Sequence, residues 1–175
     1  MISTPRPLEE KLVLMWHGHF ASNYRSVRDS FIMLKQNVMF RKHANDSFTD
    51  LAMDIVRDPA MIRFLNNDQN NKHKPNENLA RELMELFTLG EGNYSEMDIK
   101  EAARALTGYA VDDDEFVFRR RTHDHGNKVI LGKRGQFDGD DVVQILLARK
   151  QCALFIAYKL YKQFVNDLSD GPDRS

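Results

Sequence analysis

The chain of 175 residues contains very little cysteine and no long hydrophobic run. Its single cysteine, Cys152, excludes an internal disulfide framework, and the apolar residues around it are typical of a small core residue rather than a nucleophile. No segment approaches the roughly 20 consecutive apolar residues of a membrane span. The N-terminal residues also lack the basic start, apolar middle and small-residue cleavage site of a signal peptide. From the residues alone we therefore expect neither a membrane span nor an export signal in this chain.

An excess of either charge is missing as well. The 25 basic residues are balanced by 26 acidic ones, for a net charge of −1, whereas a general nucleic-acid-binding domain usually carries a basic excess. Glycine motifs of dinucleotide-binding, phosphate-binding and nucleophile-elbow loops are absent too. Residues 138–141 depart from the order of a calcium-binding loop, so their acids are expected to begin a helix. These absences disfavour nucleic-acid binding and leave the function open.

Apolar residues that recur at three- and four-residue steps predict a mainly α fold. Helices are expected over 8–20, 26–40, 47–56, 59–65, 77–89, 95–106, from 138 and over 151–166. In the second of these helices, the residues expected to face inward are Val27, Phe31, Leu34 and Val38. Segment 66–78 has no periodicity and is rich in asparagine, which favours turns, so a loop is expected there.

The pattern changes between residues 109 and 132. Two short runs of β-branched and aromatic residues are separated by the turn-rich segment 123–127, which predicts one small β-hairpin around 115–132. We therefore expect a helical bundle-like domain over 1–168 with this hairpin inserted, followed by a flexible tail over 169–175.

The helix predicted over 77–89 gathers its acidic residues on one side. With successive residues about 100° apart, Glu77, Arg81 and Glu85 form a ladder, and Glu82 lies beside it. One interpretation is a solvated face with surface ion pairs. The other is that Glu82 or Glu85 faces a cleft, where burial raises the pKa of a carboxyl group for acid/base work.

Two histidine-containing segments are candidates for metal binding. His17 and His19 stand two residues apart, so their rings diverge in a helix, and His19 alone is the better candidate; a packed, hydrogen-bonded histidine is the alternative. His123 and Asp124 lie in the turn-rich segment, where an imidazole and a carboxylate could hold a transition metal or act as an acid/base pair. A polar turn between strands is the alternative there.

Several segments together carry a resemblance to a known family. They are WHGHF (16–20), DPAMIRFL (58–65), KPNENLARELMELFTLGEGNYSEMDIKEAARALTGY (74–109), HD (123–124), ILGKRGQFDGDD (130–141) and AYKLYKQFV (157–165). In these segments the chain resembles the bacterial domain-of-unknown-function family numbered 1800. The resemblance covers nearly all of the chain, and the sequence departs from the family pattern at Gly18, where an asparagine is usual.

The resemblance implies a segment of a longer and frequently exported protein, but it implies no particular reaction. The matching motif positions are mostly polar residues from three separate parts of the chain. They are His19, Asn76, Glu77, Asn78, Arg81, Glu82, Glu85, Gly90, Tyr94, His123, Asp124 and Gly132. Such a set is typical both of a site assembled by folding and of a buried structural network.

Two hypotheses follow for the function. In the first, a hydrolase-like site uses Glu82 or Glu85 as acid/base and Arg81 to steer an anionic substrate. His19, His123 and Asp124 would then bind a divalent transition metal or carry protons. In the second, the chain is a non-catalytic helical scaffold that binds a protein partner, and the same residues form a structural polar network.

Overall fold

The computed structural model describes residues 4–165 of the chain, and helices dominate them. They are α1 (Pro7–His19), α2 (Tyr24–Val27), α3 (Ser30–Lys42), α4 (Phe48–Ile55), α5 (Pro59–Phe64), α6 (Asn78–Glu82), α7 (Glu96–Ala105), α8 (Gly139–Leu147) and α9 (Lys150–Phe164). A short 3₁₀ turn covers Asn67–Gln69, and α6 continues into a π-helical segment, Leu83–Thr88. The predicted mainly α class with a small β element is confirmed, while a bundle-like arrangement stays a prediction.

Other expectations concern residues at the ends of the chain. The predicted tail, 169–175, lies outside the described residues, so the predicted domain span of 1–168 also stays a prediction. Within residues 4–165, none of the helices is long and apolar enough to cross a membrane.

Aromatic rings form the centre of the main core. Trp16 lies in α1 and Phe20 directly follows it, while α3, α4 and the π-helical segment contribute Phe40, Phe48 and Phe87. Neighbouring ring centroids lie 5.0–6.4 Å apart. Such distances are favourable for aromatic pairs. The one polar group of the indole is also satisfied, because Trp16 Nε1 donates to the Ala44 carbonyl at 3.1 Å. This core fixes the C-terminal end of α1, where His19 lies.

Local capping signals begin several helices where the sequence predicts them. Ser95 and Asp98 form a reciprocal capping box at the start of α7, and Asp138 and Asp141 form another at α8. The side chain of Ser47, by contrast, makes no capping hydrogen bond at α4, although the helix does begin at the next residue.

The prediction of which residues of the second predicted helix face inward is wrong. The αL residue Arg28 and the capping residue Asp29 divide it into α2 and α3, and α3 turns Ile32 and Phe40 into the core instead. Three of the four residues expected to be inside are therefore more than half exposed: Phe31, Leu34 and Val38.

A buried hydrogen-bond chain explains this orientation of α3. Gln36 is almost fully buried, its Nε2 donates to Asp58 Oδ2 at 2.6 Å, and its Oε1 accepts from Ser22 Oγ at 2.6 Å. Asp58 also caps α5 by accepting from the Met61 amide. Because buried polar groups need partners, this chain favours the face that carries Gln36 over the more apolar one.

The predicted hairpin is corrected to two separate hairpins. Strand β1 (Tyr109–Asp112) pairs antiparallel with β2 (Glu115–Phe118), and β3 (Lys128–Ile130) pairs with β4 (Lys133–Gly135). Each pair closes through a two-residue loop with positive φ at both positions, Asp113-Asp114 and Leu131-Gly132, which suits the twist of a tight hairpin. The segment 119–127 therefore connects two hairpins rather than forming the turn of one.

The asparagine-rich segment 66–78 is held tightly against α7. Asn67 Nδ2 donates to the carbonyls of Leu106 and Tyr109, and Asn70 Nδ2 donates to the Ala103 carbonyl at 2.9 Å. Both asparagines are buried. The predicted loop is thus a built structural element that supplies donors to the C-terminal end of α7.

Gly108 lies where this loop, α7 and the segment after β2 meet. Its φ is +82°, and a Cβ at this position would lie 2.7 Å from the Arg119 carbonyl oxygen. Both the conformation and the close approach require glycine.

Replacement of Asn70 by alanine should lower the free energy of unfolding by about 3 kcal/mol, because its buried partners lose their hydrogen bonds. Asn70 donates to Asn67 Oδ1 and the Ala103 carbonyl and accepts from the Asn76 amide. Urea denaturation measures the change. Asn45→Ala, at an exposed position, is the matched control and should alter stability by less than about 0.5 kcal/mol. Equal effects of the two replacements would contradict this role of Asn70.

Candidate functional site

His19 ends α1 and is buried, with both ring nitrogens engaged. Its Nδ1 accepts a hydrogen bond from Lys159 Nζ at 2.9 Å. Nε2 therefore carries the proton and donates to the Phe87 carbonyl at 3.0 Å. Burial, together with the charge of Lys159, lowers the pKa of His19 to about 3, so the ring is neutral near pH 7. A neutral ring that already uses both nitrogens offers no lone pair to a metal ion unless Lys159 moves away.

Lys159 on α9 is a site residue that no motif in the sequence indicates. Its ammonium donates to the Leu86 carbonyl at 3.0 Å as well as to His19, and it lies 4.6 Å from the centroid of the Phe155 ring. Leu86 and Phe87 belong to the last turn of the π-helical segment, whose carbonyls have no donors within the helix. A cation there is also favoured by the helix dipole.

The acidic side of α6 is partly paired, in a different way from the predicted ladder. Arg81 donates to Glu77 at 3.2 Å, as expected, but its other contacts are with Glu96 at 2.8–2.9 Å. These two carboxylates raise the pKa of Arg81. Arg81 is thus already held by two carboxylates on the protein itself.

The π-helical geometry explains why Glu85 leaves that ladder. The Leu89 amide bonds to the Met84 carbonyl five residues back, and the Thr88 hydroxyl fills the same spacing to the Leu83 carbonyl. The wider turn rotates Glu85 away from Arg81, and its carboxylate accepts from the Tyr94 hydroxyl at 2.7 Å. Burial and this carboxylate raise the pKa of Tyr94.

Glu82 is the member of this group that most resembles an acid/base residue. It is half-buried, and burial followed by the nearby charge of Glu85 raises the pKa of its carboxyl group. A carboxyl group whose pKa is raised by burial is one arrangement used for proton transfer, and π-helical turns are frequent at functional sites.

His123 and Asp124 cover the C-terminal end of α7. His123 is buried, its Nδ1 donates to the Thr107 carbonyl at 2.8 Å, and burial lowers its pKa. The carboxylate of Asp124 accepts from Arg104 Nε at 2.7 Å and from the Gly126 amide at 2.8 Å. The Arg104 hydrogen bond holds the pKa of Asp124 below its usual value. Both side chains thus have partners that fix the turn.

Lys128 is a second lysine that the sequence did not reveal as important. It is fully buried, and its ammonium donates to the carbonyls of Asp124 and Gly126. Burial lowers its pKa. The segment 123–128 is therefore a closed turn in which Lys128 satisfies the carbonyls of Asp124 and Gly126, while Arg104 donates to the Asn127 carbonyl.

The structure does not bring the predicted site residues together. No hydrogen bond or ring contact in residues 4–165 joins His19 to His123, or either ring to Glu82 or Glu85. Across the same range, no three histidine, cysteine, aspartate or glutamate side chains group closely enough to hold a metal ion. A common ligand set of His19, His123 and Asp124 is therefore not supported, although each residue on its own stays a candidate.

Asp58 is a further buried titratable group outside the predicted set. Burial raises the pKa of its carboxyl group to about 6, although the Met61 amide and Gln36 both bond to it. The sequence showed only its capping position before Pro59.

Comparison with known proteins gives the family and nothing further. The family described as "Protein of unknown function (DUF1800)" matches residues 1–174, so the chain belongs to that family. Neither a curated protein nor a solved structure matches the chain.

His19 and Asp58 should give the protein two opposing pH dependences of stability. The pKa of His19 is lowered to about 3. The contribution of His19 to the free energy of unfolding therefore decreases as pH falls from 6.5 towards 3. The pKa of Asp58 is raised to about 6, so its ionisation destabilises the fold as pH rises from about 4 to 6. Each slope approaches about 1.4 kcal/mol per pH unit. They largely cancel in the unaltered protein between pH 4 and 6.

Single replacements should separate the two pH dependences of the free energy of unfolding, which urea denaturation at pH 4, 5 and 6 measures. Asp58→Asn should make the free energy of unfolding rise with pH relative to the unaltered protein, because the pH dependence due to His19 is no longer offset by that of Asp58. His19→Gln, whose amide can replace both ring hydrogen bonds, should make stability fall with pH. Parallel pH profiles for all three proteins would contradict the burial of these two groups.

Proposed function

We propose that the chain is a helical scaffold and protein-binding module in which the polar family-motif residues hold the ends of helices. The observation that carries this proposal is the bonding of His19. One ring nitrogen accepts from Lys159 and the other donates to the Phe87 carbonyl, so the imidazole connects α1, α9 and the π-helical segment.

The other motif residues support the same function. Arg81 connects α6 to the start of α7 through Glu96, and Tyr94 bonds to Glu85 across the loop between those helices. His123 and Asp124 are engaged at the other end of α7. These contacts join residues that are 9 to 20 positions apart and lie in different elements of the chain, as in a structural network.

An acid/base site at Glu82 and Glu85 is the second candidate. It is favoured by the raised pKa of Glu82 and by the π-helical turn that separates Glu85 from Arg81. If Glu82 and Glu85 form such a site, the reaction would be a hydrolysis in which Glu82 donates the proton. Arg81, already paired with Glu77 and Glu96, would have to exchange one of them for an anionic substrate.

Under the scaffold proposal, metal ions should neither copurify nor stabilise. Protein purified without a histidine tag should contain less than about 0.1 equivalent of zinc, manganese, iron or nickel by plasma mass spectrometry. Each of these ions, added in excess, should shift the melting temperature by less than about 1 °C. A retained equivalent of one metal, with a rise in melting temperature that His19→Gln abolishes, would instead support the hydrolase-like site.

Hydrolysis assays distinguish the acid/base candidate. We expect the unaltered protein and Glu82→Gln to hydrolyse p-nitrophenyl acetate and p-nitrophenyl phosphate at the same background rate. Glu91→Gln, at an exposed loop position, is the matched control. A rate above background that falls about 100-fold or more in Glu82→Gln, but not in Glu91→Gln, would overturn the scaffold proposal.

A further inference from the structure

Two exposed turns hold basic residues that the helix-end contacts of the scaffold do not use. The first turn contains Lys72, His73 and Lys74, and the second contains the three consecutive arginines at 119–121. All six residues are exposed to solvent. No acidic residue lies within 69–76 or 116–123. Each turn is therefore locally cationic, although the whole chain has a net charge of −1.

A backbone hydrogen bond brings the two turns together, although they are distant in sequence. The Lys72 amide donates to the Thr122 carbonyl at 2.8 Å. Because this bond joins the main chains of the two turns, their exposed basic residues lie on neighbouring parts of one surface. We call the surface formed by Lys72, Lys74 and residues 119–121 the basic surface.

Side-chain hydrogen bonds hold each turn in a defined conformation. In the first turn, Asn71 Oδ1 accepts from the amides of His73 and Lys74, each at 3.1 Å. In the second turn, the amide and the hydroxyl of Thr122 both donate to the Arg119 carbonyl at 3.0 Å. The backbone of the basic surface is thus fixed before a partner binds, which reduces the conformational entropy lost on binding.

Within residues 4–165, no carboxylate forms an ion pair with a cation of the basic surface. In the same range, the only side-chain hydrogen bond of these five cations is from Arg119 Nη2 to the Val111 carbonyl, at 3.3 Å. Most acids that flank the turns in sequence are paired with other cations. These pairs are Glu77 with Arg81, Glu115 with Lys35, and Asp124 with Arg104.

The unpaired cations of the basic surface repel one another, and this repulsion lowers the stability of the folded chain. A carboxylate that approaches them reduces the repulsion and has no carboxylate of residues 4–165 to displace. The arginines match a carboxylate particularly well, because the planar guanidinium can donate two parallel hydrogen bonds to it. Charge complementarity therefore selects an anionic ligand for this surface.

Acidic residues border the basic surface and limit the extent of that ligand. Asp112, Asp113 and Glu115 lie at the far end of the β1–β2 hairpin, about 13 Å from Arg119 at roughly 3.3 Å per residue. Asp68 precedes the first turn and is exposed. DNA carries phosphates continuously along its length, and a membrane surface is broad, so both would also meet these carboxylates. A short acidic peptide segment avoids them.

We infer that the basic surface is the docking site for a short segment of a partner protein that is rich in aspartate and glutamate. This inference rests on the proposed scaffold function and adds the chemistry of the partner to it. The arginines of the second turn bind carboxylates through paired hydrogen bonds, and Lys72 and Lys74 act on the same segment as compact point charges.

The test uses a short, fluorescently labelled peptide in which glutamate alternates with serine. Fluorescence anisotropy should show saturable binding to the full chain that weakens as the salt concentration is raised. The same peptide with glutamine in place of glutamate should bind at least about tenfold more weakly. A DNA duplex several helical turns long should bind more weakly than the acidic peptide, because it also meets the bordering carboxylates.

Two double replacements make the test specific to the basic surface. Arg120→Gln combined with Arg121→Gln should weaken binding of the acidic peptide about tenfold or more. Lys72→Gln combined with Lys74→Gln should also weaken it, because both turns contribute to the surface. All four residues are exposed, so neither variant should lower the melting temperature by more than about 2 °C.

The matched control removes the same charge from another exposed turn region. Lys133→Gln combined with Arg134→Gln replaces two exposed residues of the second hairpin. This variant should bind the acidic peptide within about twofold of the unaltered protein, because the loss of two charges at a distance is largely screened by salt.

Four results would overturn the inference. These are the absence of saturable peptide binding, equal affinity of the arginine variant and the control, tighter binding of the DNA duplex than of the peptide, and binding to phosphatidylserine vesicles that the arginine variant abolishes. Any of them would leave the scaffold proposal standing, because that proposal depends on the metal and hydrolysis assays.

Discussion

The carbonyl groups at the C-terminal ends of helices are the constraint on which the arrangement of polar residues depends. These oxygens find no donor within their own helix and must be satisfied from elsewhere when they are buried. His19 and Lys159 supply donors to Phe87 and Leu86, while Asn67 and Asn70 supply them to the end of α7. The packing of α9, of α1 and of the asparagine-rich segment follows from where these donors are required.

The same constraint accounts for the two histidines of the family motif, His19 and His123, each of which bonds to a carbonyl near a helix end. In sequence, a structural polar network drawn from separate segments resembles a catalytic site, because both need hydrogen-bond donors and acceptors in fixed positions. Here the two imidazoles meet different partners, Phe87 and Lys159 for His19 and Thr107 for His123. Among the described motif residues, Glu82 keeps some of the character of an acid/base group, because burial raises the pKa of its carboxyl group.

Local interactions made much of the fold predictable from sequence. The capping boxes at Ser95 and Asp138, and the proline after Asp58, begin helices through contacts within four residues. Interactions between distant residues were not predictable in this way. The contact between His19 and Lys159 joins residues 140 positions apart, and α9 carries three lysines, Lys150, Lys159 and Lys162, with no local signal that distinguishes Lys159.

Two errors have equally specific causes. The face of α3 was misassigned because Gln36 outweighs the more apolar row once Asp58 and Ser22 satisfy it. The hairpins were misassigned because their loops, Asp113-Asp114 and Leu131-Gly132, lack the asparagine-glycine pairs that mark tight turns most clearly. For the candidate site, the sequence identified the polar residues but not their separation in space.

The number of residues in the π-helical segment has a consequence for how the helices on either side of it are oriented. Deletion of one residue between Leu83 and Thr88 would restore ordinary α geometry and turn every preceding side chain by about 100° relative to those that follow. Glu85 would swing back towards Arg81, or else the Leu86 and Phe87 carbonyls would leave Lys159 and His19. Relatives that lack this extra residue would therefore need a different junction between their first and last helices, even with every motif residue retained.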